Sequence, residues 1–314
     1  MASSATRRRR KGGLSVVLTV ISPGLGHLYA GEPVAGVVTF VLVLIALDVA
    51  TALGAYACLG VLNFILLFAI PITAIIVAAR HAANAAKRQP ADYLLRAYNH
   101  WYVYVVLLLL AGFVGHLDTA FLKAYVAKAY RIPSTAMAPT LLVGDYLYVH
   151  NYVRTPPAIK RGQIVVFRSL TEPGVMVIER VCGVPGDTLQ MRDDTLFVDG
   201  VQQVEPYTQH VDPTGDVTDS SMRWQAAFVT AAVDRRYYLP TRSNWGPIVV
   251  PAHSYLALGD DRDNSSDSRY YGFVPSDRIV ARPLRLYFSY DPDARSSVPW
   301  LTAVRWRRIG QAVR

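Results

Sequence analysis

The chain has 314 residues, enough for a membrane portion and one sizeable domain. Hydrophobic residues make up 52% of it and the mean hydropathy is +0.22, both high for a soluble protein, so membrane spans are sought first. The formal charge of +9 lies largely in tails and loops beside apolar runs, which favours anionic lipid headgroups and argues against nucleic acid as partner.

Residues 1–13 form a basic tail containing Arg7, Arg8, Arg9, Arg10 and Lys11. No small-residue cleavage site followed by a polar start comes after it, so a retained cytoplasmic tail is expected. Residues 14–30 are apolar but interrupted by Pro23, Gly24 and Gly26, which predicts a re-entrant or interfacial helix. The segments 33–53, with Asp48 as its one charge, and 54–79, with none, are long enough to cross a bilayer. Without a second acid inside the membrane, Asp48 reads as a side chain near an interface or paired between helices. The stretch SPGLGHLYAGEP at 22–33 is expected to pack helices through its small residues.

A basic loop with Arg80, Lys87, Arg88 and Arg96 leads to another apolar run that starts at Trp101. If both basic segments face the cytoplasm, an even number of crossings separates them, and the run at 101–117 carries the chain outward. The expected organisation is a tail at 1–13, membrane helices and a basic loop at 14–100, a transmembrane helix at 101–117 and an outer domain at 118–314. Leu122, Tyr125, Val126 and Tyr130 are expected along the bilayer surface. His27 is isolated and the other histidines are scattered, so no metal site and no cofactor is expected.

The outer part reads as mainly β, an antiparallel sheet on an α-helical stalk. Strand patterns occur at Tyr146 to Val149, Ile164 to Phe167, Val175 to Val181, Thr195 to Val198, Arg236 to Leu239, Tyr255 to Leu258 and Leu284 to Tyr290. Turn signals separate them at 185–187, 199–200 and 244–247, and residues 203–235 read as an excursion from the sheet. Cys58 lies in an apolar run and Cys182 in the outer domain, so an internal disulfide is not expected. Near the end, Arg305, Arg307, Arg308 and Arg314 mix with Trp300 and Trp306 and suit a headgroup contact; a frayed solvated tail is the alternative.

Three stretches carry chemistry. In the first, RIPSTAMAPTLLVG at 131–144, Pro133 and Pro139 fix φ and lack N–H groups, so the chain between them is extended or turned and fits close to a bound peptide. The second is ERVCGVPGD at 179–187. The third, GDDRDNSSDSRYYGFVP at 259–275, holds Asp and Arg residues able to form a buried, mutually satisfied network beside the first. Their order, with RGQIVVFR at 161–168 and NWGPIVVP at 244–251, resembles the type I signal peptidase family, membrane-bound serine endopeptidases that remove signal peptides.

The resemblance implies a Ser and Lys dyad, in which a lysine desolvated among apolar groups is a neutral amine that takes the serine proton. The position of the family's serine is Ala136 here, and that of its lysine is Glu179. By the same resemblance, the Ala136 N–H and the Ser134 hydroxyl match the oxyanion hole. Ser265 matches the serine that orients the lysine, and Asp267 and Arg269 match the supporting ion pair. Ile132, Pro133, Met137 and Pro139 are the expected substrate-binding residues. Two functions follow. One is a non-cleaving homologue that binds signal peptides or membrane-protein segments, or modulates an active signal peptidase paralogue. The other is a peptidase with relocated groups, Ser134 or Thr135 as nucleophile and Glu179 as base. With the crossings and charge placement above, the expected location is the cell inner (plasma) membrane, crossed several times, with the main domain extracytoplasmic.

Overall fold

The computed structural model describes residues 9–56, 61–121, 128–152, 158–212, 216 and 218–314. The chain divides into two compact units, Met1–Ala127 and Lys128–Arg314.

The first unit is helical. α1 (Gly12–Ile21) is followed by a short α2 (Leu25–Tyr29), and the turn between them depends on Gly24 at φ +96°, where a side chain would also overlap the Gly36 carbonyl. Gly26 approaches α1 as closely, and its carbonyl accepts from the Ser15 hydroxyl at 2.9 Å. Small residues therefore bring these backbones together, as expected for 22–33. α3 (Pro33–Tyr56) and α4 (Val61–Arg88) follow, with Pro71 inside α4, and then α5 (Trp101–Phe121). Three segments, Pro33–Leu53, Ile65–Arg88 and Trp101–Phe121, are long and apolar enough to cross a membrane.

The second of these extends further than the apolar run at 54–79, because the Ala-rich stretch up to Arg88 continues the helix. α5 likewise continues past 117 to Phe121, with the Thr119 hydroxyl bonded back to the Gly115 carbonyl. Asp118 thus belongs to a candidate span, contrary to the expectation that the membrane segments hold no acid besides Asp48. Asp48 Oδ1 has no hydrogen-bond partner among the described residues. Leu122, Tyr125, Val126 and Cys58 lie outside the described residues.

The second unit is built on two antiparallel sheets. Its elements are β1 (Lys128–Arg131), β2 (Asp145–Asn151), β3 (Ile164–Arg168), β4 (Met176–Gly183), β5 (Thr188–Arg192), β6 (Thr195–Val198), β7 (Val201–Gln202), β8 (Trp245–Val249), β9 (Ser254–Leu258), α6 (Ser268–Tyr271), β10 (Val274–Pro275), β11 (Ile279–Ser289) and α7 (Pro299–Thr302). The larger sheet has the order β1-β2-β11-β3-β4-β9-β10 and the smaller one β7-β6-β5-β8.

Burial on both faces explains the unbroken apolar run of β3. Ile164 and Val166 pack with Ile132, Met137, Leu141 and Leu147, while Val165 and Phe167 pack with Val181, Ala257 and Ile279 on the other side. A third core joins the sheets through Leu189, Met191, Trp245, Ile248, Leu256 and Leu258. Cys182 belongs to that core as a free thiol.

In this unit two sequence expectations are corrected. Arg236 to Leu239 is not a strand: Arg235–Tyr237 is a 3₁₀ turn, because the Asp234 carboxylate accepts the Arg236 N–H at 3.0 Å and starts a helical turn. Of NWGP at 244–247, Asn244 closes a turn with Thr241, while Trp245 to Pro247 already belong to β8. Pro247 is tolerated there because β8 ends the smaller sheet, and on its outer side Phe228 to Thr230 make only an isolated bridge that uses the Pro247 carbonyl and needs no Pro247 N–H.

The C-terminal residues are not frayed. Bridges Tyr290↔Val304 and Arg285↔Ala312 dock them on β11, and Arg308 pairs with the fully buried Asp145 at 2.5 Å. Arg305 bonds the Val143 carbonyl and pairs with Asp291. Trp300, Trp306 and Arg307 remain exposed.

Candidate active-site groove

The stretch 131–144 leaves β1 and turns at Ser134 to Thr140. Ile132 anchors it, donating its N–H to the Asp145 carbonyl at 2.9 Å, and the buried Met137 and Ala138 hold its far side. Two bonds from the 259–275 stretch fix the turn from outside. The Asp261 N–H donates to the Ala136 carbonyl at 3.0 Å, and Asn264 Nδ2 donates to the Thr135 hydroxyl at 2.7 Å. Among the described residues, the Ala136 N–H and the Ser134 hydroxyl make no hydrogen bond and remain available to a ligand.

Behind this turn a charged lattice binds the three stretches to one another. Arg180 grips Asp260 with two bonds of 2.8 and 2.7 Å, and the same carboxylate accepts the Thr140 hydroxyl at 2.5 Å. Arg269 grips Asp267 through Nε and Nη2, both at 2.8 Å, while Asp267 also accepts the Gly259 N–H. All four charged groups are buried, where paired, hydrogen-bonded ions persist and single ones do not.

In front of it lies a groove of about 1040 Å³. Ile132, Pro133, Ser134, Ala136, Met137, Glu179 and Ser265 all line it, so most of the residues expected from sequence meet at one place. Pro139 is outside the lining, and Asp267 and Arg269 stand behind it, in keeping with a supporting position. Sequence reasoning missed Met176 to Ile178, Tyr270 and Tyr271, which complete the wall. The available signal was that a buried carboxyl at 179 requires a donor, and RYYG at 269–272 supplies phenols.

Glu179 is 2% exposed, and its Oε2 accepts the Tyr271 hydroxyl at 2.5 Å. Burial pushes its carboxyl well above the usual range, and the Asp267 carboxylate pushes in the same direction; the Tyr271 bond and Arg269 oppose them. Burial and then Glu179 likewise push the Tyr271 phenol up. Ser265 Oγ is buried without a hydrogen-bond partner. No hydrogen bond joins Ser134 to Glu179 among the described residues, so the nucleophile and base of the relocated reading are not in contact.

Elsewhere on the unit, His210 is less isolated than its sequence position suggests. Its ring and the carboxylates of Asp194 and Asp263 offer ligand atoms within 4.8 Å of one another. Arg242 Nε already lies 3.3 Å from Asp263 and supplies the positive charge there.

The family described as "Signal peptidase, peptidase S26" matches residues 99–288, more than half of the chain. This protein belongs to that family. Among its relatives, the signal peptidase I of Pseudomonas aeruginosa is 31% identical over 203 residues, covering 57% of this chain and 70% of that protein. The signal peptidase I of Bacillus licheniformis is 31% identical over 171 residues, covering 54% and 81%. A solved signal peptidase I from Enterococcus faecalis is 28% identical and covers 39% of this chain and 94% of that one, with a TM-score of 0.26. Family membership brings the antiparallel sheet and the groove under one description, while helices α1 to α4 precede the matched region.

Proposed function

We propose that this signal-peptidase-family member binds signal peptides or similar membrane-protein segments in the groove without cleaving them. One observation carries the reading: where the family's dyad stands, the chain places a methyl group at Ala136 and a buried carboxyl at Glu179 that is bonded to Tyr271. An alanine offers no nucleophile, and a carboxyl cannot become the neutral amine that the family chemistry requires. Losing one member of such a unit costs about 10⁴ to 10⁶ in rate, and losing the second adds little.

Binding has its own support. β9 pairs with β4 only from Arg180 onward, so among the described residues one backbone edge of Met176 to Ile178 has no strand partner along the groove. An extended peptide can add there as a strand, with its carbonyls near the free Ala136 N–H and Ser134 hydroxyl.

The test is cleavage of a preprotein with small residues at its processing site. The native chain is expected to show no turnover, and Ala136→Ser with Glu179→Lys is the variant in which turnover would return. Native turnover that disappears with Ser134→Ala would overturn the proposal. Binding is tested by titrating a signal peptide with Ala at both recognition positions against one with bulky residues there; equal affinities would count against a preserved groove.

For placement, the reading is a multi-pass protein with the second unit outside the cytoplasm. In a Cys58→Ser background, a cysteine at Ser4 should react with an impermeant reagent only after lysis, and one at Ser297 once the outer barrier is opened. Labelling of Ser4 from outside would mean that 14–30 crosses fully and would overturn this topology.

A further inference from the structure

The helical unit contains a cavity of about 700 Å³ that signal-peptide binding does not use. It lies where the chain enters α1, beside α2, the 95–99 loop and the start of α5. Arg10 is its central group. The Arg10 guanidinium sits between two rings, 4.5 Å from the centroid of Tyr29 and 4.4 Å from that of Tyr93, and the residue is 8% exposed. Nevertheless its Nε and Nη2 are buried with no hydrogen-bond partner, and it makes no ion pair among the described residues. Ring faces stabilise a cation but do not satisfy its N–H donors, so a buried guanidinium in this state lacks an acceptor.

The position is held in advance. The Tyr29 hydroxyl accepts the Lys11 N–H at 3.1 Å, the Tyr93 hydroxyl donates to Asn99 Oδ1 at 3.2 Å, and Asn99 Nδ2 donates to the Leu28 carbonyl at 3.2 Å. Arg9 and Lys11 add two exposed cations at the rim, and no residue of the lining is acidic. Leu14 and Leu18 form an apolar wall along α1, and Trp101, 76% exposed, stands at the head of a candidate span. Positive charge, buried N–H donors and an apolar wall at the end of membrane helices suit a molecule with an anionic head and a hydrocarbon body.

We propose that this cavity binds the phosphate headgroup of an anionic phospholipid, with Arg10 Nε and Nη2 donating to phosphate oxygens and an acyl chain against Leu14 and Leu18. Arginine suits the role because its planar fork meets phosphate oxygens in pairs and stays charged between the rings.

The experiment uses the full chain, delipidated in neutral detergent, and follows lipid retention by native mass spectrometry together with the unfolding midpoint. Phosphatidylglycerol should be retained and raise the midpoint, and phosphatidylcholine should do neither. Arg10→Gln should weaken phosphatidylglycerol binding by about tenfold, the loss of one charge-assisted bonding partner. Because Arg10 is buried, a second variant, Arg9→Gln with Lys11→Gln at exposed positions, should also weaken binding while leaving the fold intact. Equal retention of the two lipids, or binding unchanged in both variants, would overturn the proposal. A third arm adds inorganic phosphate alone: if it saturates the effect and phosphatidylglycerol adds nothing, the cavity is a soluble-phosphate site and the lipid assignment fails.

Discussion

The Tyr271 hydroxyl donates to Glu179 Oε2 at 2.5 Å, closing a phenol over the carboxyl that we propose replaces the family's lysine. A lysine at that place would have to lose its proton to act, whereas this carboxyl keeps its proton more readily than an exposed one. Tyr271→Phe should leave the buried carboxyl without its donor and destabilise the chain by about 1–3 kcal/mol, measured as a shift in the unfolding transition. An unchanged transition would show that the bond carries no stability.

The same carboxyl sets a pH dependence. Burial, and secondly Asp267, raise its folded value well above the ordinary 4.5. Between those two values the native state holds a proton that the unfolded chain has released. This contribution is therefore fully present below 4.5, is lost as pH rises towards the folded value, and stays constant above it. Glu179→Gln keeps the shape and does not titrate there. Its stability relative to the native chain should grow as pH rises through the window, and a difference independent of pH would refute the assignment.

Gly259 lies directly against the Ser134 to Ala136 turn. A methyl group there would overlap the Ser265 hydroxyl and the Ala136 carbonyl, the latter held by the Asp261 N–H. Gly259→Ala should cost about 1–3 kcal/mol of stability and weaken peptide binding, since the turn must move away. Unchanged peptide affinity in a folded variant would mean that the turn does not shape the groove.

Asp267 is fully buried and neutralises Arg269, itself 1% exposed. Asp267→Asn removes that compensation and should destabilise by about 3–5 kcal/mol. It also removes the second cause of the raised Glu179 value, so the pH window should narrow in the same variant.

Arg308 distinguishes the two readings of the C-terminal basic residues. Its pairing with the buried Asp145 predicts that Arg308→Ala costs about 3 kcal/mol in detergent as much as in lipid. A loss seen only with anionic lipid would instead assign Arg308 to the membrane surface.

Much of the fold was legible because period and length carry it. The apolar runs at 33–53 and from 101 marked helices by their length, and IVVF at 164–167 marked a strand, which the fold buries on both faces. β1 and β8 were not legible. Lys128–Arg131 has no apolar alternation of its own and becomes a strand by pairing with β2, and NWGPIV carries turn residues that only an edge position allows. Arg236 to Leu239 failed in the opposite direction, since β propensity gave way to a local cap from Asp234.

The sequence by itself determined the two residues on which the proposed lack of cleavage rests. Ala136 and Glu179 occupy their positions whatever the fold, and no packing turns a methyl group into a nucleophile. It also determined the three stretches that build the groove, because their Pro, Gly, Asp and Arg residues dictate turns and ion pairs at fixed offsets. Only the tertiary structure decided which groups meet across long separations: Tyr271 with Glu179, Arg308 with Asp145, and Arg10 between Tyr29 and Tyr93. Each meeting places a titratable or charged group out of water, and its energy depends on the partner that the fold supplies, which no local pattern records.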